Sequence, residues 1–181
     1  AELARAHSGA LAGRDAAYDA IFSHYGVSRC RSIDELMDTL ELFSTGIRPR
    51  TSKLAALHDS GGQRALVVDL AEEARGEFAA INGETAARLA DVLEPGLDPI
   101  NPLDAWGTGN DASRIYEECL RALDADPETG LTLAACDLYP TDDAEFFYPN
   151  LVSATLGELT NPLVWLVHLT SATSPLQVKA L

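Results

Sequence analysis

Four histidines occur in 181 residues, and one of them stands among residues too small to bury it. His7 sits in the run Ala6-His7-Ser8-Gly9-Ala10-Leu11-Ala12-Gly13. Ser8 and Gly9 let backbone or a ligand approach the imidazole, and glycine reaches dihedrals that other residues avoid. A ligand contact and a plain small-residue turn before a helix are both open on spacing alone. A second candidate is His58-Asp59-Ser60-Gly61-Gly62-Gln63, where an apolar run ends and a helical pattern begins. The amides of a helix's first turn point outward at the positive end of its dipole, and glycines let an anion come close. Ser60, Gly61, Gly62 and Gln63 are therefore candidate phosphate ligands, with a structural Gly-Gly turn as the other reading. A third candidate is Asn101 to Gly109, "NPLDAWGTG". Its Asn-Pro step and glycines define a loop shape that offers Asn101 and Asp104 to a nearby site, or simply lays Trp106 over the core. His24 reads as a surface residue, while His58 and His168 fall near strand ends, where each reads as a satisfied, partly buried side chain or as one within reach of a ligand. No GxSxG, HExxH, GxxxxGK[ST] or post-strand GxGxxG pattern occurs, and no metal-binding set is expected.

These residues need elements to hold them. The pattern predicts helices over 14–25 and 33–43, the second opened by the capping box Ser32-Ile33-Asp34-Glu35, with a short strand over 27–30 between them. A polar Gly- and Pro-bearing stretch, residues 46–52, reads as a linker. Beyond it strands (53–58, 77–81, 131–138, 163–169) alternate with helices (63–74, 84–93, 112–123, most of 143–159, and 175 onward). Apolar strands alternating with helices imply a parallel sheet covered on both faces, a doubly wound, flavodoxin-like unit that binds ligands beyond the strands' carboxyl ends. Two helices and a short strand are too little for a core in the first fifty residues, so residues 1–45 read as the remnant of a second α/β domain. The last helix has barely begun at Leu181, so the domain over 53–181 is expected to continue, as the absence of a starting methionine suggests for the other end.

Composition narrows the function classes. Hydrophobic residues make up 46% and the net charge is −15, which argues against nucleic acid, whose binders carry a basic face. The charge is uneven: residues 1–50 carry −1 and residues 51–181 carry −14, so in the acidic part backbone amides must bind any anion. No apolar run approaches the ~18 residues of a membrane span, and no signal peptide is read. Cys30, Cys119 and Cys136 are odd in number and far apart, which favours a reducing cytoplasm over disulfides.

Together, "AHSGALAGRDAAYDAIFSHYGVSRCRSIDELMDTLEL", "HDSGGQRALVVDLAEEA" and "INPLDAWG" resemble the NDP-forming acyl-CoA synthetases, the ADP-forming acetate–CoA ligase family related to succinyl-CoA synthetase. The resemblance implies that His7 is the histidine phosphorylated during turnover, with Ser8 and Gly9 in its loop. It further implies that Ser60, Gly61, Gly62 and Gln63 receive its phosphoryl group and that Asn101 and Asp104 lie in a loop near that site. Where the family commonly has Thr-Asn before Ser-Gly-Gly, this chain has His58-Asp59. The implied reaction is carboxylate + CoA + ATP ⇌ acyl-CoA + ADP + phosphate, through acyl phosphate and phosphohistidine. A neutral imidazole is the nucleophile and a helix dipole steadies the dianion, while Mg²⁺ travels with the nucleotide. CoA and ATP are implied to bind mainly to a Rossmann domain and an ATP-grasp domain outside these residues, so the segment alone is expected not to turn over. The partners implied are those domains, a small carboxylic acid and further subunits of an oligomer. Two other readings stay open: a non-catalytic regulatory copy of the module, as in protein acetyltransferase fusions, and a stand-alone acidic flavodoxin-like binding domain. A receiver would cluster acidic residues at strand ends, where Asp137 alone fits; a flavin protein would be yellow.

Overall fold

The computed structural model describes residues 14–138, 147–169 and 173–180. The chain divides into two compact units, Ala1–Ser44 and Thr45–Leu181.

In the first unit, helix α1 (Asp15–His24) and helix α2 (Ile33–Ser44) are the regular elements among the described residues. The capping box forms with a shift: Ser32 Oγ accepts from Glu35 N at 3.1 Å, while Glu35 Oε2 accepts from Arg31 N at 2.6 Å, one residue before the position expected. The strand expected over 27–30 is absent; Arg29 instead turns back onto the carboxylates of Asp15 and Asp19. A strand needs a partner for its amides and carbonyls, and the described residues of this unit offer none. Neither helix buries a residue. Ile33, Leu36, Met37, Leu40 and Phe43, spaced along one face of α2, are all exposed.

The second unit is a parallel α/β sheet. Its elements in order are β1 (Lys53–His58), α3 (Gly61–Ala74), β2 (Glu77–Phe78), α4 (Gly83–Val92), β3 (Leu103–Asp104), α5 (Ala112–Ala125), β4 (Leu131–Ala135), α6 (Phe147–Thr155), β5 (Leu163–Leu166) and α7 (Pro175–Ala180). The strands run in the order β2-β1-β4-β5, all parallel, and β3 also pairs with β1. With β3 set aside as an added short segment, this is the flavodoxin-like arrangement expected. Several strands are shorter than expected: β2 stops at Phe78, β4 at Ala135 and β5 at Leu166. β5 is also half-buried rather than buried, because it is the edge strand. Residues 143–146 of the expected sixth helix lie outside the described residues.

Period-two alternation sorts β1 between two layers. Ala55 and Leu57 join Leu89, Ile115, Tyr116, Cys119, Leu120 and Leu123 in the main core, against α4 and α5. Leu54, Ala56 and His58 face the other side, where Leu54 meets Gly76 just past α3. The stretch read as a linker is partly fastened to this unit. Arg50 Nη2 donates to Asp124 O at 2.6 Å and Thr51 Oγ1 to Glu128 O at 2.6 Å.

Candidate functional site

The carboxyl ends of β1, β3, β4 and β5 meet the first turn of α3. Ser60, the residue before the helix, is extended (φ −155°, ψ 126°), and no side chain caps the helix start. The outward amides of Gly61, Gly62 and Gln63 thus keep the positive end of the dipole open to an acceptor. Helix and strand are joined by only Asp59 and Ser60, so the turn is held close to the sheet.

Asp104 enters this site from β3. A Cβ at Gly61 would stand 3.0 Å from Asp104 Oδ2, whereas one at Gly62 would meet only Ser60 Oγ at 3.8 Å. Gly61 is therefore required for the close approach of a carboxylate. Asp104 Oδ1 accepts from Trp106 N at 3.2 Å, which turns the carboxyl group back over its own loop.

Asn101 explains how β3 is held. β2 pairs with Lys53 and Leu54 of β1, and β3 with Leu57 and His58, which leaves a gap between them. Asn101 fills it as a strand would: its Oδ1 accepts from Ala56 N at 2.9 Å, and its Nδ2 donates to Leu54 O at 2.8 Å and Ala79 O at 3.0 Å. Its side chain is used by the sheet, and it acts on the site by carrying Asp104 there. An Asn-Pro step where a strand is due was the available signal.

Beneath the first turn of α3 lies a polar layer. His58 is fully buried and, among the described residues, neither ring nitrogen has a hydrogen-bond partner; its ring centroid is 6.4 Å from that of His168, whose Nε2 likewise has none among them. Burial, with the charges of His168 and Arg64 nearby, pushes the His58 pKa down to about 4. Asp59 accepts a hydrogen bond from the Tyr148 hydroxyl, and burial raises its pKa. Asp137 is fully buried. Its Oδ2 accepts from Gln63 Nε2 at 2.8 Å, and its Oδ1 from the amides of His168 at 2.8 Å and Leu169 at 3.2 Å. Sequence reasoning noted Asp137 only as a lone acidic residue past a strand and missed its bond to Gln63 and the role of Tyr148. No local spacing announces either. Among the described residues, no group of three or more His, Cys, Asp or Glu is arranged to hold a metal ion. His7, Ser8 and Gly9 lie outside the described residues.

This arrangement offers amides to an oxyanion and carboxylates to a hydrogen-bond donor. A group carrying both suits it better than a bare anion does.

Comparisons with known proteins bear on the family and the fold. The family model of the succinyl-CoA ligase like flavodoxin domain matches residues 1–43. The chain is 30% identical over 146 residues to acetate–CoA ligase [ADP-forming] I of Archaeoglobus fulgidus, covering 81% of this chain and 20% of that protein. It is 32% identical over 128 residues to the acetate–CoA ligase [ADP-forming] I alpha subunit of Pyrococcus furiosus, covering 71% of this chain and 27% of the subunit. The chain thus spans about a quarter or less of the length of these relatives. The fold matches that of a dinucleotide-forming acetyl-coenzyme A synthetase 1 from Ca. Korarchaeum cryptofilum, solved with phosphate and ADP. The TM-score is 0.80 at 18% identity, over 99% of this chain and 38% of that one.

Proposed function

The chain belongs to the NDP-forming acyl-CoA synthetase family, and on that premise we propose that it forms part of an enzyme joining a carboxylic acid to CoA with ATP. The acyl group passes from acyl-CoA to phosphate in one direction, giving acyl phosphate and free CoA. His7 then takes the phosphoryl group, releasing the carboxylate, and passes it to ADP. Residues 1–45 are the end of the histidine-bearing domain, residues 46–52 the connection and residues 53–181 the next ligase domain. The apolar, uncovered faces of α1 and α2 support the first assignment, since such faces require a sheet to pack on. CoA, ATP and its Mg²⁺ bind on other domains of the enzyme. We place the enzyme in the cytoplasm, in keeping with three free cysteines, and as an oligomer, in keeping with relatives named as alpha subunits.

The observation that carries this reading is the uncapped start of α3 with Asp104 beside it. A phosphorylated imidazole presents phosphoryl oxygens, which accept hydrogen bonds from the amides of residues 61–63, and a ring N–H, which donates to the Asp104 carboxylate. That is how a site flanked by carboxylates binds an anionic group.

The test is chemical. In the intact protein carrying this segment, labelled ATP should leave an acid-labile, base-stable label on His7, as expected for a phosphorus–nitrogen bond. His7→Asn should lower acyl-CoA synthesis by about 10³-fold or more. A substituted protein within about tenfold of the original rate would make His7 a packing residue and leave the regulatory reading.

A further inference from the structure

We propose that Asp137 is the positioning residue of the Ser60–Gln63 turn, acting through the side chain of Gln63. The proposal rests on the reading of that turn as an anion site. Asp137 lies two residues past β4, fully buried, and its carboxylate joins two separate elements. One oxygen takes the Gln63 amide from the first turn of α3, and the other takes two successive backbone amides just past β5. Among the described residues three donors converge on this carboxylate, so it is held by charge-assisted bonds, which are stronger than neutral ones.

The bond also settles which way Gln63 faces. A carboxylate with these donors can only accept, so the NH₂ of Gln63 must point at Asp137 and its Oε1 away from it. Oε1 is buried and has no partner among the described residues, so the bond from Nε2 to Asp137 is the anchor of this side chain. Gln63 is the third residue of α3, so anchoring it fixes the direction of the amides at residues 61–63. The groups around it are Asp59 beyond β1, Asp104 of β3, Arg64 of α3, and His58 and His168. None of these carries a recorded hydrogen bond to Gln63.

The sign of one substitution separates positioning from simple electrostatics. Asp137→Asn removes a negative charge near an anion site, so electrostatics alone predicts tighter phosphate binding. Positioning predicts weaker binding, because the new NH₂ opposes that of Gln63 or forfeits the His168 and Leu169 amides. Titrating inorganic phosphate into the intact protein, we expect Asp137→Asn and Gln63→Ala each to weaken binding about tenfold. The double variant should be no weaker than Gln63→Ala alone, since the effect runs through one contact. Additive losses, or tighter binding in Asp137→Asn, overturn the proposal. Gln63→Ala removes no buried charge and serves if Asp137→Asn fails to fold. Hydrogen exchange of the Arg64 amide, which bonds Ser60 O at 2.9 Å, reads the same coupling without a ligand. It should quicken in both single variants and no further in the double. If the unaltered protein binds no phosphate, the anion-site reading fails, and the exchange cycle alone decides whether Asp137 holds the turn.

Discussion

Asp104 Oδ2 lies 3.0 Å from where a Cβ on Gly61 would stand, so the absence of a side chain at residue 61 is what admits a carboxylate to the start of α3. Gly61→Ala should push Asp104 aside by a few tenths of an ångström. Stability should change by less than about 1 kcal/mol, since better helix preference offsets the crowding. On the proposed reading, phosphohistidine formation should fall, because the displaced carboxylate is less well placed to accept an imidazole N–H. Gly62→Ala, with only Ser60 Oγ at 3.8 Å, is the control for crowding of Asp104. Labelling His7 in both variants checks this, and equal labelling would remove Asp104 from the site.

Asn101 replaces a missing stretch of strand with one side chain, so its loss should be felt as lost backbone pairing. Asn101→Ala removes the partner of Ala56 N and of Ala79 O, while Leu54 O keeps the Ala79 amide at 2.8 Å. The expected cost is about 2–4 kcal/mol, read by urea unfolding. Asn101→Asp should cost more at neutral pH, since an oxygen would then face two carbonyls.

His58 makes stability depend on pH. Its pKa falls from 6.5 in the unfolded chain to about 4 in the fold, so the unfolded state binds the proton more tightly. Its contribution is complete above pH 6.5 and is lost as pH drops from there toward 4, by about 2–3 kcal/mol in all. The raised carboxyl of Asp59 titrates in the opposite sense at the acid end. Comparing unfolding curves of the original and His58→Gln between pH 7 and 4 isolates the histidine; parallel curves would mean the ring is not held neutral.

Gly130 sits where the chain entering β4 passes the chain entering β1. A Cβ there would stand 1.9 Å from Thr51 O and 2.6 Å from Thr51 C, and this is backbone that cannot swing away. Gly130→Ala should cost about 3 kcal/mol or more, seen as a lowered denaturation midpoint. A change within 1 kcal/mol would show that residues 51–53 can lift off the sheet.

Short-range pattern was enough for much of the second unit. The helix at Ala112–Ala125 was legible because Ile115, Cys119, Leu120 and Leu123 recur at helical spacing, and all four are buried. The Ser32–Glu35 box and the turn from β1 into α3 were legible for the same reason: neighbours in sequence specify them. The same logic failed at 27–30, where Val27-Ser28-Arg29-Cys30 reads as a short strand but finds no partner strand among the described residues. Residues that build the site across long separations were beyond any such pattern. Asn101 bridges to Ala56 over 45 residues, Asp137 to Gln63 over 74 and Tyr148 to Asp59 over 89. Those meetings follow from strand order and register, which parallel crossovers set only when the sheet assembles. The sequence by itself determined most helices and strands of the second unit and the glycine turn that follows β1. Only the tertiary structure decided that a carboxylate stands beside that turn and another holds it from below.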